Sequence, residues 1–330
     1  MHYDIIGDIH GYAAPLIGLL RALGYERVHG SYQNPERTAI FLGDFIDYGP
    51  GSKEVLEIVR AMVENDAALA VLGNHEFNAV CFHTPDGAGG HLRSQKNPKN
   101  LRQHEATLAS FGSELPALMD YISWFKELPL WLELPGIRVA HACWDARAIA
   151  TLQSTPMMAS LGPLTGEVLG GAQAEAMKLL CKGHEVPVEG LSYRDKSGHN
   201  RNELRVAWWR DARDKTCCQM AVKDKHRIPE YPFPENLWPK YQGYRSSEPL
   251  LFIGHYSLEI RPEPLLPNLV CIDLGVTGGR GLACYRWSGE EHAMPAAFCV
   301  DHGEYGSDSR GRRSIIPSVD DASSMSDTPL

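Results

Sequence analysis

The sequence predicts an α/β fold in which a mostly parallel sheet is covered by helices. Two observations lead to this prediction. Short apolar runs alternate with segments whose apolar residues recur at helical spacing over residues 3–73. Each of these apolar runs also ends at a glycine that is followed by a polar motif. This β-α-β-α-β order is typical of parallel strands that are joined by helices.

The first part of the chain is predicted to contain three strands and two helices. The strands are predicted at 3–7, 39–43 and 68–73. Leucines at helical spacing predict a helix from Ala13 to Leu23, which Gly24 ends. Ser52 is predicted to be the N-cap of a second helix, since serine accepts hydrogen bonds from the first free backbone N–H groups.

Residues 83–131 interrupt this order and are predicted to be a helical insertion that lies over the functional site as a lid. The insertion begins with a loop rich in Gly, Pro, Asn and Lys, and two helix-like stretches follow at 101–126. A fourth strand is predicted at 137–141. A further helix is predicted at about 167–182, with Gly183 as its end.

The second half of the chain is richer in predicted strands. They are expected at 203–209, 250–254, 269–274 and 282–287. Residues 227–249 contain several Pro and aromatic residues and are predicted to form an ordered loop. Residues 303–330 contain few large apolar residues, which predicts a disordered tail. One catalytic domain is therefore expected over residues 1–302.

Composition limits the class of protein. The chain has 330 residues, of which 43% are hydrophobic and 22% charged, as is usual for a globular protein. Its net charge is −9, which argues against stable binding to nucleic acid or to anionic membranes, because these polyanions repel an acidic surface. Bound metal ions would reverse the field inside one cleft, so an anionic substrate remains compatible with this charge.

The sequence further predicts a cytoplasmic protein. It has 8 Cys without a C-x-x-C pair, which favours reduced and mostly buried thiols over disulfides. The first residues enter a strand directly, so no signal peptide is expected. No apolar run is long enough to span a bilayer.

Five polar motifs follow apolar runs and are the most informative feature of the chain. They are GDIHG at 7–11, GDFIDYG at 43–49, GNHE at 73–76, AHAC at 140–143 and GHY at 254–256. A single Asp or His after a strand is usually a turn or capping residue. Five such motifs in one chain instead predict a site at which two divalent metal ions bind side by side.

The ligands are predicted from residue type and position. One metal is assigned to Asp8, His10 and Asp44, and the other to Asp44, Asn74, His141 and His255, so that the Asp44 carboxylate bridges the pair. Carboxylate and imidazole groups suit manganese, iron and zinc, of which manganese is expected first. A water held by both ions would be acidified, and the resulting metal-bound hydroxide would attack a phosphate.

His75 and Asp47 are predicted to complete the chemistry. His75 follows the proposed ligand Asn74 directly and remains without a metal, so it is assigned as the general acid that protonates the leaving oxygen. Asp47 lies three residues after Asp44 and is assigned as the partner that orients His75 and raises its pKa. Together these residues predict a hydrolase that acts on phosphate esters or anhydrides.

The same motifs resemble the signature of the calcineurin-like metallophosphoesterases. They are most similar to the phosphoprotein-phosphatase branch and to the bacterial symmetrical diadenosine tetraphosphatases. The closing stretch at 268–287 is similar to the end of the phosphatase module of bacterial polynucleotide kinase-phosphatases. The resemblance implies a four-layered α/β/β/α sandwich of two mixed sheets flanked by helices, with the metals at the rim between the sheets. It also implies the ligand roles given above.

Two positions depart from the pattern of this family. Phosphoprotein phosphatases carry a phosphate-binding Arg where this chain has Tyr48, and many members of the superfamily have a second His where this chain has Ser257. Another cation is therefore expected to contact the substrate. The candidates are Arg93, Lys99, Arg102, His104 and Arg280.

The resemblance leaves the substrate open. A phosphoprotein, a dinucleoside polyphosphate and a nucleotide or polynucleotide end are the three alternatives, and an inactive metal-binding scaffold is a fourth. His184 in KGHE follows a helix rather than a strand and is not expected to bind metal. Trp124, Trp131 and the pair Trp208 and Trp209 are expected to be core residues rather than a base-stacking platform.

Overall fold

The structure is a computed structural model that describes residues 1–154, 171–195, 198–258 and 263–301. The tail predicted at 303–330 lies outside the described residues, as do the first positions of the helix predicted at about 167–182.

Within these ranges the chain forms fifteen strands and eight α-helices. The strands β1 to β15 are, in chain order, Tyr3–Ile6, Glu26–Val28, Ser31–Gln33, Thr38–Phe41, Ala68–Ala70, Trp131–Leu134, Ile137–Ala140, Glu185–Pro187, Tyr193–Arg194, Asn200–Arg201, Glu203–Arg205, Leu250–Ile253, Leu269–Cys271, Leu282–Trp287 and Phe298–Asp301. The helices α1 to α8 are Ala13–Ala22, Ser52–Glu64, Asn74–His83, Pro98–Phe111, Leu115–Phe125, Ala146–Gln153, Ala172–Lys182 and Cys217–Met220.

The first large sheet has five strands in the order β15-β14-β1-β4-β5. β1, β4 and β5 are parallel to one another, β14 pairs antiparallel with β1, and β15 pairs antiparallel with β14. The three parallel strands are those predicted from the alternating first part of the chain. Their carboxyl ends meet at one edge of the sheet, which brings the first three polar motifs together.

The second large sheet has four strands in the order β13-β12-β7-β6. β7, β12 and β13 are parallel, whereas β6 pairs antiparallel with β7. The AHAC motif follows β7 and the GHY motif follows β12. Because these strands are neighbours and run in the same direction, both motifs also lie at one edge of their sheet.

The two mixed sheets pack face to face around an apolar core, which confirms the predicted fold class. Ile5 and Ile40 of the first sheet belong to the same buried cluster as Val139, Phe252 and Val270 of the second sheet, and each of these five is 0% exposed. A sandwich of two sheets requires such a shared core, in which side chains from the inner faces of both sheets pack together.

The outer faces of the two sheets are covered differently. Helices α1, α2, α3 and α5 pack on the outer face of the first sheet, where Leu16, Leu56 and Phe125 are fully buried. The outer face of the second sheet is covered mainly by residues 185–195 and 198–241, which include β8, β11 and α8. Within the described ranges, no helix is both long and apolar enough to cross a bilayer.

Several local predictions were wrong. Gly51, not Ser52, is the N-cap of α2, and Ser52 is its first helical residue. Residues 131–134, for which no strand was predicted, form β6, and β15 was not predicted either. Trp208 and Trp209 lie in a turn after β11 rather than in a strand. Gly183 does end α7, with a φ of 70°.

Candidate metal centre

Four of the predicted site residues have a left-handed backbone conformation. The φ angles are 49° at His10, 52° at Asp44, 72° at Asp47 and 68° at His255. Positive φ is unfavourable for residues other than glycine, and such residues concentrate at functional sites. Each of the four lies just after a strand, where the sharp turn directs its side chain into the edge between the two sheets.

Gly43 permits the close approach of the second and third motifs. Its φ is 90°, and a Cβ at this position would clash with the backbone of Gly73. A side chain here would therefore push apart the turns that carry Asp44 and Asn74.

One group of candidate ligands consists of His10, Asp44 and His75, whose ligand atoms lie within 4.8 Å of one another. Asp44 Oδ2 is 3.7 Å from His10 Nε2 and 3.9 Å from His75 Nε2. All three residues are buried. This group contains His75, which was predicted to remain free of metal, in the place where Asp8 was expected.

A second group consists of Asp44, His141 and His255. His141 Nε2 lies 3.4 Å from Asp44 Oδ1 and 3.1 Å from Asn74 Oδ1, and His255 Nδ1 lies 2.6 Å from the same Asn74 oxygen. Asp44 belongs to both groups, which is the position expected of a bridging carboxylate. The predicted ligands Asn74, His141 and His255 are thus brought together with it.

The atoms that surround His141 are compatible with a cation in this second group. His141 Nδ1 is 2.6 Å from the carbonyl oxygen of Leu42, which can only accept, so Nδ1 carries the hydrogen. In the neutral imidazole, Nε2 is then a bare acceptor that faces the acceptor oxygens of Asn74 and Asp44. Only a proton or a metal ion between these atoms makes the arrangement favourable. Burial acts to lower the pKa of His141, but the charge of Asp44 outweighs it and raises the pKa.

Among the described residues, Asp8 belongs to neither of these two groups. Its two carboxylate oxygens accept from the backbone N–H of His255 at 3.2 and 3.0 Å. Burial, and then the charges of Asp273 and Asp44, raise the pKa of Asp8 well above its usual range. Several carboxylates crowded in a buried space need positive charge to stay ionised together, which further supports the fit of a cation. The ligand role of each residue stays a prediction.

His75 and Asp47 form the buried pair that the sequence predicts. His75 Nδ1 lies 2.6 Å from Asp47 Oδ2. Burial acts to lower the pKa of His75, but the charge of Asp44 and the hydrogen bond to Asp47 raise it to about 9. Burial acts to raise the pKa of Asp47, but hydrogen bonds from His104 and His75 outweigh it and lower the pKa to about 2. The geometry therefore favours an imidazolium whose Nε2 carries a proton.

Glu76 has a structural role that the sequence analysis missed, although the residue belongs to the GNHE motif. Its carboxylate is fully buried and accepts from four backbone N–H groups. These belong to Asp44 at 2.8 Å, Phe45 at 2.8 Å, Ile46 at 3.3 Å and Gly73 at 3.1 Å. Glu76 thereby fixes the turn of the second motif against the turn of the third. Burial, and then the charge of Asp44, raise the pKa of Glu76 to about 7.

Helix α4 of the insertion contributes three side chains to the site. His104 Nδ1 is 2.9 Å from Asp47 Oδ1, and Thr107 Oγ1 donates to the same oxygen at 2.7 Å. Gln103 Nε2 lies 3.3 Å from His75 Nε2. The insertion therefore does lie over the site. The spacing of 103, 104 and 107 on one helix was the signal that could have identified Gln103 and Thr107 as site residues.

The candidate cations have different positions. Lys99 and Arg102 are exposed, and Arg280 donates to Ser257 Oγ at 2.9 Å. Arg93 is half-buried and donates to Gln103 Oε1 at 2.6 Å. Tyr48 is 54% exposed, and its ring lies beside those of His10 and His75.

His184 and the tryptophans were expected to lie outside the functional site. His184 Nδ1 is 3.1 Å from Tyr241 Oη, and among the described residues His184 belongs to neither metal group. Trp124, Trp208 and Trp209 are all buried. These three are core residues, as predicted, whereas Trp131 is only partly buried and packs against the edge of the core.

The sandwich of two mixed sheets carries at its edge two candidate ligand groups that share Asp44, and together these features define the class of protein as a metallophosphoesterase fold. The sequence profile described as Calcineurin-like phosphoesterase matches residues 1–259. The chain therefore belongs to the calcineurin-like phosphoesterase family, as the motifs predict.

Three relatives illustrate the similarity. Bis(5'-nucleosyl)-tetraphosphatase PrpE [asymmetrical] of Halalkalibacterium halodurans is 47% identical over 76 residues, which are 23% of this chain and 31% of that protein. The protein of the same name from Oceanobacillus iheyensis is 31% identical over 171 residues, which are 51% of this chain and 66% of that protein. Bis(5'-nucleosyl)-tetraphosphatase, symmetrical, of Klebsiella pneumoniae is 26% identical over 305 residues, covering 87% and 92%. The matches to the two asymmetrical enzymes thus span less than two thirds of their length.

Proposed function

We propose that this protein is a phosphohydrolase that depends on two metal ions and cleaves phosphate esters or anhydrides. The observation that carries the proposal is the convergence of acceptor atoms from Asp44, Asn74 and His141 beside the His75–Asp47 pair. A cation-binding cluster next to a buried imidazolium is the arrangement that phosphate hydrolysis uses, since the reaction needs charge stabilisation and a proton donor.

The metal-binding residues follow from the two groups. We assign one ion to Asp8, His10 and Asp44, and the other to Asp44, Asn74, His141 and His255. Two divalent ions, when bound, would supply positive charge for the phosphoryl oxygens and would lower the pKa of a water molecule. Manganese is our first assignment, and iron and zinc are alternatives, because mixed imidazole and carboxylate ligands suit all three.

His75 is assigned as the proton donor. Its Nδ1–H donates to Asp47 and holds the ring with Nε2 directed towards the cluster. The proton on Nε2 is then available to the oxygen that leaves phosphorus. Asp47 keeps its negative charge and stabilises the imidazolium until the proton is transferred.

We further propose that the substrate is a dinucleoside polyphosphate or another nucleotide. The names of the three relatives reported above support this class over a phosphoprotein, although the family also contains phosphoprotein phosphatases. Tyr48, which replaces the phosphate-binding Arg of that branch, supports the same choice. A phosphoprotein and a polynucleotide end remain the alternatives, and we propose a cytoplasmic location.

A substrate panel tests this proposal. The purified protein, supplied with manganese, would be assayed on p-nitrophenyl phosphate, a phosphopeptide, diadenosine tetraphosphate and an oligonucleotide with a 3′-phosphate. Asp44→Asn should abolish all hydrolysis, with its circular dichroism spectrum unchanged. An inactive wild-type protein would support the inactive-scaffold alternative. Turnover by Asp44→Asn would contradict the assignment of the bridging ligand.

A further inference from the structure

Two basic side chains, Arg93 and Lys182, meet on one buried amide near His75. Lys182 Nζ donates to Asn78 Oδ1 at 2.9 Å, and Arg93 Nη1 donates to the same oxygen at 3.4 Å. Asn78 is 8% exposed. In the part of the chain that the structure describes, neither cation forms an ion pair with a carboxylate. We refer to Arg93 and Lys182 as the cation pair.

The like charges of Arg93 and Lys182 repel each other, and the charge of Asp47 compensates only that of Arg93, in part. Burial, and then the positive charge of Arg93, lower the pKa of Lys182. A neutral amide oxygen partly satisfies the donors, but it does not compensate two like charges that are partly removed from water. An anion between them would do so, and guanidinium and ammonium groups bind phosphate oxygens well.

The position of the cation pair relative to His75 identifies which anion would bind. His75 and Asn78 are three residues apart on α3 and therefore lie on neighbouring turns of the same face, about 4.5 Å apart along the helix axis. Arg93 also donates to Gln103 Oε1 at 2.6 Å, and Gln103 Nε2 lies 3.3 Å from His75 Nε2. Arg93, one member of the cation pair, is thus separated from the His75 ring by a single side chain, that of Gln103.

We propose that Arg93 and Lys182 bind the phosphate that leaves, and so favour substrates whose leaving group is itself a phosphate. This inference rests on the proposed function and narrows its substrate class to phosphoanhydrides such as nucleoside polyphosphates. In a phosphate monoester with an alcohol leaving group, nothing carries negative charge at this position. The cation pair would then contribute little.

The reaction itself explains why the charge matters. A bond forms between a water oxygen and the attacked phosphorus while the bridging P–O bond breaks, and its electron pair goes to the oxygen of the leaving phosphate. That oxygen takes the proton of His75, and the proton lost by the water goes to solvent, from which His75 is reprotonated. Arg93 and Lys182 hold the negative charge of the leaving phosphate throughout.

A binding experiment tests the cation pair without turnover. Methylenediphosphonate, which is not hydrolysed, and methylphosphonate would each be titrated into manganese-loaded protein in a calorimeter. Arg93→Met and Lys182→Met remove the charges but keep much of the side-chain length. We expect each variant to bind the diphosphonate about tenfold more weakly, which is the effect of losing one charge-assisted hydrogen bond. Affinity for methylphosphonate should stay within about twofold.

Arg102→Met is the matched control, because Arg102 is an exposed arginine of α4 whose Nε donates to the carbonyl oxygen of Pro98. It should bind both phosphonates as the wild type does. Equal diphosphonate affinity in the wild type, Arg93→Met and Lys182→Met would overturn the inference. An equal loss for both phosphonates would overturn it as well, because that result indicates a general disturbance of the site.

Kinetics separate this inference from the proposed function. The KM for diadenosine tetraphosphate should rise about tenfold in Arg93→Met and Lys182→Met, while kcat/KM for p-nitrophenyl phosphate changes less than about threefold. If the wild type hydrolyses neither substrate, the proposed function fails, and the calorimetric result still decides whether the diphosphonate site exists. If the wild type is active and the variants keep its KM values, only the cation pair is refuted.

Discussion

His104 Nδ1 lies 2.9 Å from Asp47 Oδ1, and this contact joins the helical insertion to the proton donor. Asp47 is ionised and can only accept, so Nδ1 of His104 carries the hydrogen. His104 Nε2 is 3.1 Å from His83 Nε2 and accepts from it when His104 is neutral. The two other side-chain donors to Asp47 are His75 and Thr107. His104 is therefore a positioning residue that acts on His75 through Asp47.

Replacing His104 should reduce the rate most for substrates that need a proton. In His104→Leu, Asp47 loses one donor and His75 is held less firmly. We expect kcat for an alkyl phosphate to fall about 10- to 100-fold, as is typical when general acid catalysis is impaired. The fall for p-nitrophenyl phosphate should be several times smaller, because its leaving group needs little protonation. Steady-state kinetics on both substrates would measure the difference.

His104→Asn is the conservative partner of this variant, because its amide nitrogen can occupy the place of Nδ1 and donate to Asp47. It should restore most of the activity that His104→Leu loses. His91→Asn is a control in the same insertion but outside the Asp47 contacts. If His104→Asn and His104→Leu lose the same activity, or if both substrates suffer equally, His104 does not position the acid.

Glu76→Gln should destabilise the protein although the two side chains have nearly the same shape. The carboxylate of Glu76 accepts from four backbone N–H groups, and the amide nitrogen of Gln would face some of them as a donor. Leaving buried donors unsatisfied should lower the free energy of unfolding by about 3 kcal/mol. Urea denaturation monitored by circular dichroism would measure this loss.

A control variant and a second measurement distinguish loss of the turn that Glu76 holds from a general loss of packing. Ser123→Ala removes a hydroxyl from an exposed position of α5, where it bonds only to the carbonyl oxygen of Met119, and should change stability by less than about 0.5 kcal/mol. Glu76→Gln should also weaken manganese binding, because the turn that presents Asp44 is displaced. A variant with wild-type stability would show that the four hydrogen bonds do not hold the two motifs together.

The sequence was sufficient for the parts of the site that follow strand ends. Asp44 follows a parallel strand of the first sheet, and His141 and His255 follow neighbouring parallel strands of the second. The carboxyl ends of parallel strands meet at one edge within each sheet, and the packing of the two sheets brings the two edges together. The buried pair of His75 and Asp47 could also be predicted, because both residues belong to motifs at that edge. The parallel strands β1, β4 and β5 followed from the alternation of apolar runs and helices, whereas the two mixed sheets were implied by the family resemblance.

The remaining features of the site and the fold depend on contacts between segments that are distant in the sequence, and no local sequence pattern indicates such contacts. Lys182 reaches Asn78 across 104 positions, and His104 reaches Asp47 across 57. Neither pair has a fixed spacing that sequence reasoning can use. Strand β6 was missed because its residues, WLEL, continue an apolar helical pattern, and only pairing with β7 makes them a strand. The contact between the Asp8 carboxylate and the backbone N–H of His255 also joins distant segments, and the ligand role of Asp8 stays a prediction.

Metal ions should raise the thermal stability of this protein. Asp8, Asp44 and Asp273 are buried close together, and their mutual repulsion is visible in the raised pKa of Asp8, for which burial is the first cause and Asp273 the second. A ligand that binds only the folded state at a hundred times its Kd stabilises it by about 2.7 kcal/mol. We therefore expect manganese to raise the melting temperature of EDTA-treated protein by about 5 °C.

Differential scanning fluorimetry with and without manganese would measure this shift. Asp44→Asn is the decisive comparison, since it removes the ligand that both candidate groups share. The melting temperature of this variant should respond to manganese by less than half of the wild-type shift. A shift of the same size in both proteins would mean that manganese stabilises the fold elsewhere.

Acid should destabilise the protein partly through His184, a buried histidine outside the metal groups. Burial, and then the charge of Lys240, lower the pKa of His184 to about 4, and Tyr241 contacts its Nδ1 while Asp145 lies on its other side. The unfolded chain takes up this proton near pH 6.5, whereas the folded protein resists until about pH 4. The contribution of His184 to the stability is therefore complete above about pH 6.5 and is lost as the pH falls towards 4.

The variant His184→Gln tests this contribution because glutamine cannot be protonated. Between pH 7 and 4 its unfolding free energy should fall by about 3 kcal/mol less than that of the wild type. Urea denaturation of both proteins in EDTA would measure the two slopes without a contribution from metal release. Parallel slopes would mean that His184 is protonated equally easily in the folded and unfolded states, and its burial against Tyr241 would then carry no pH dependence.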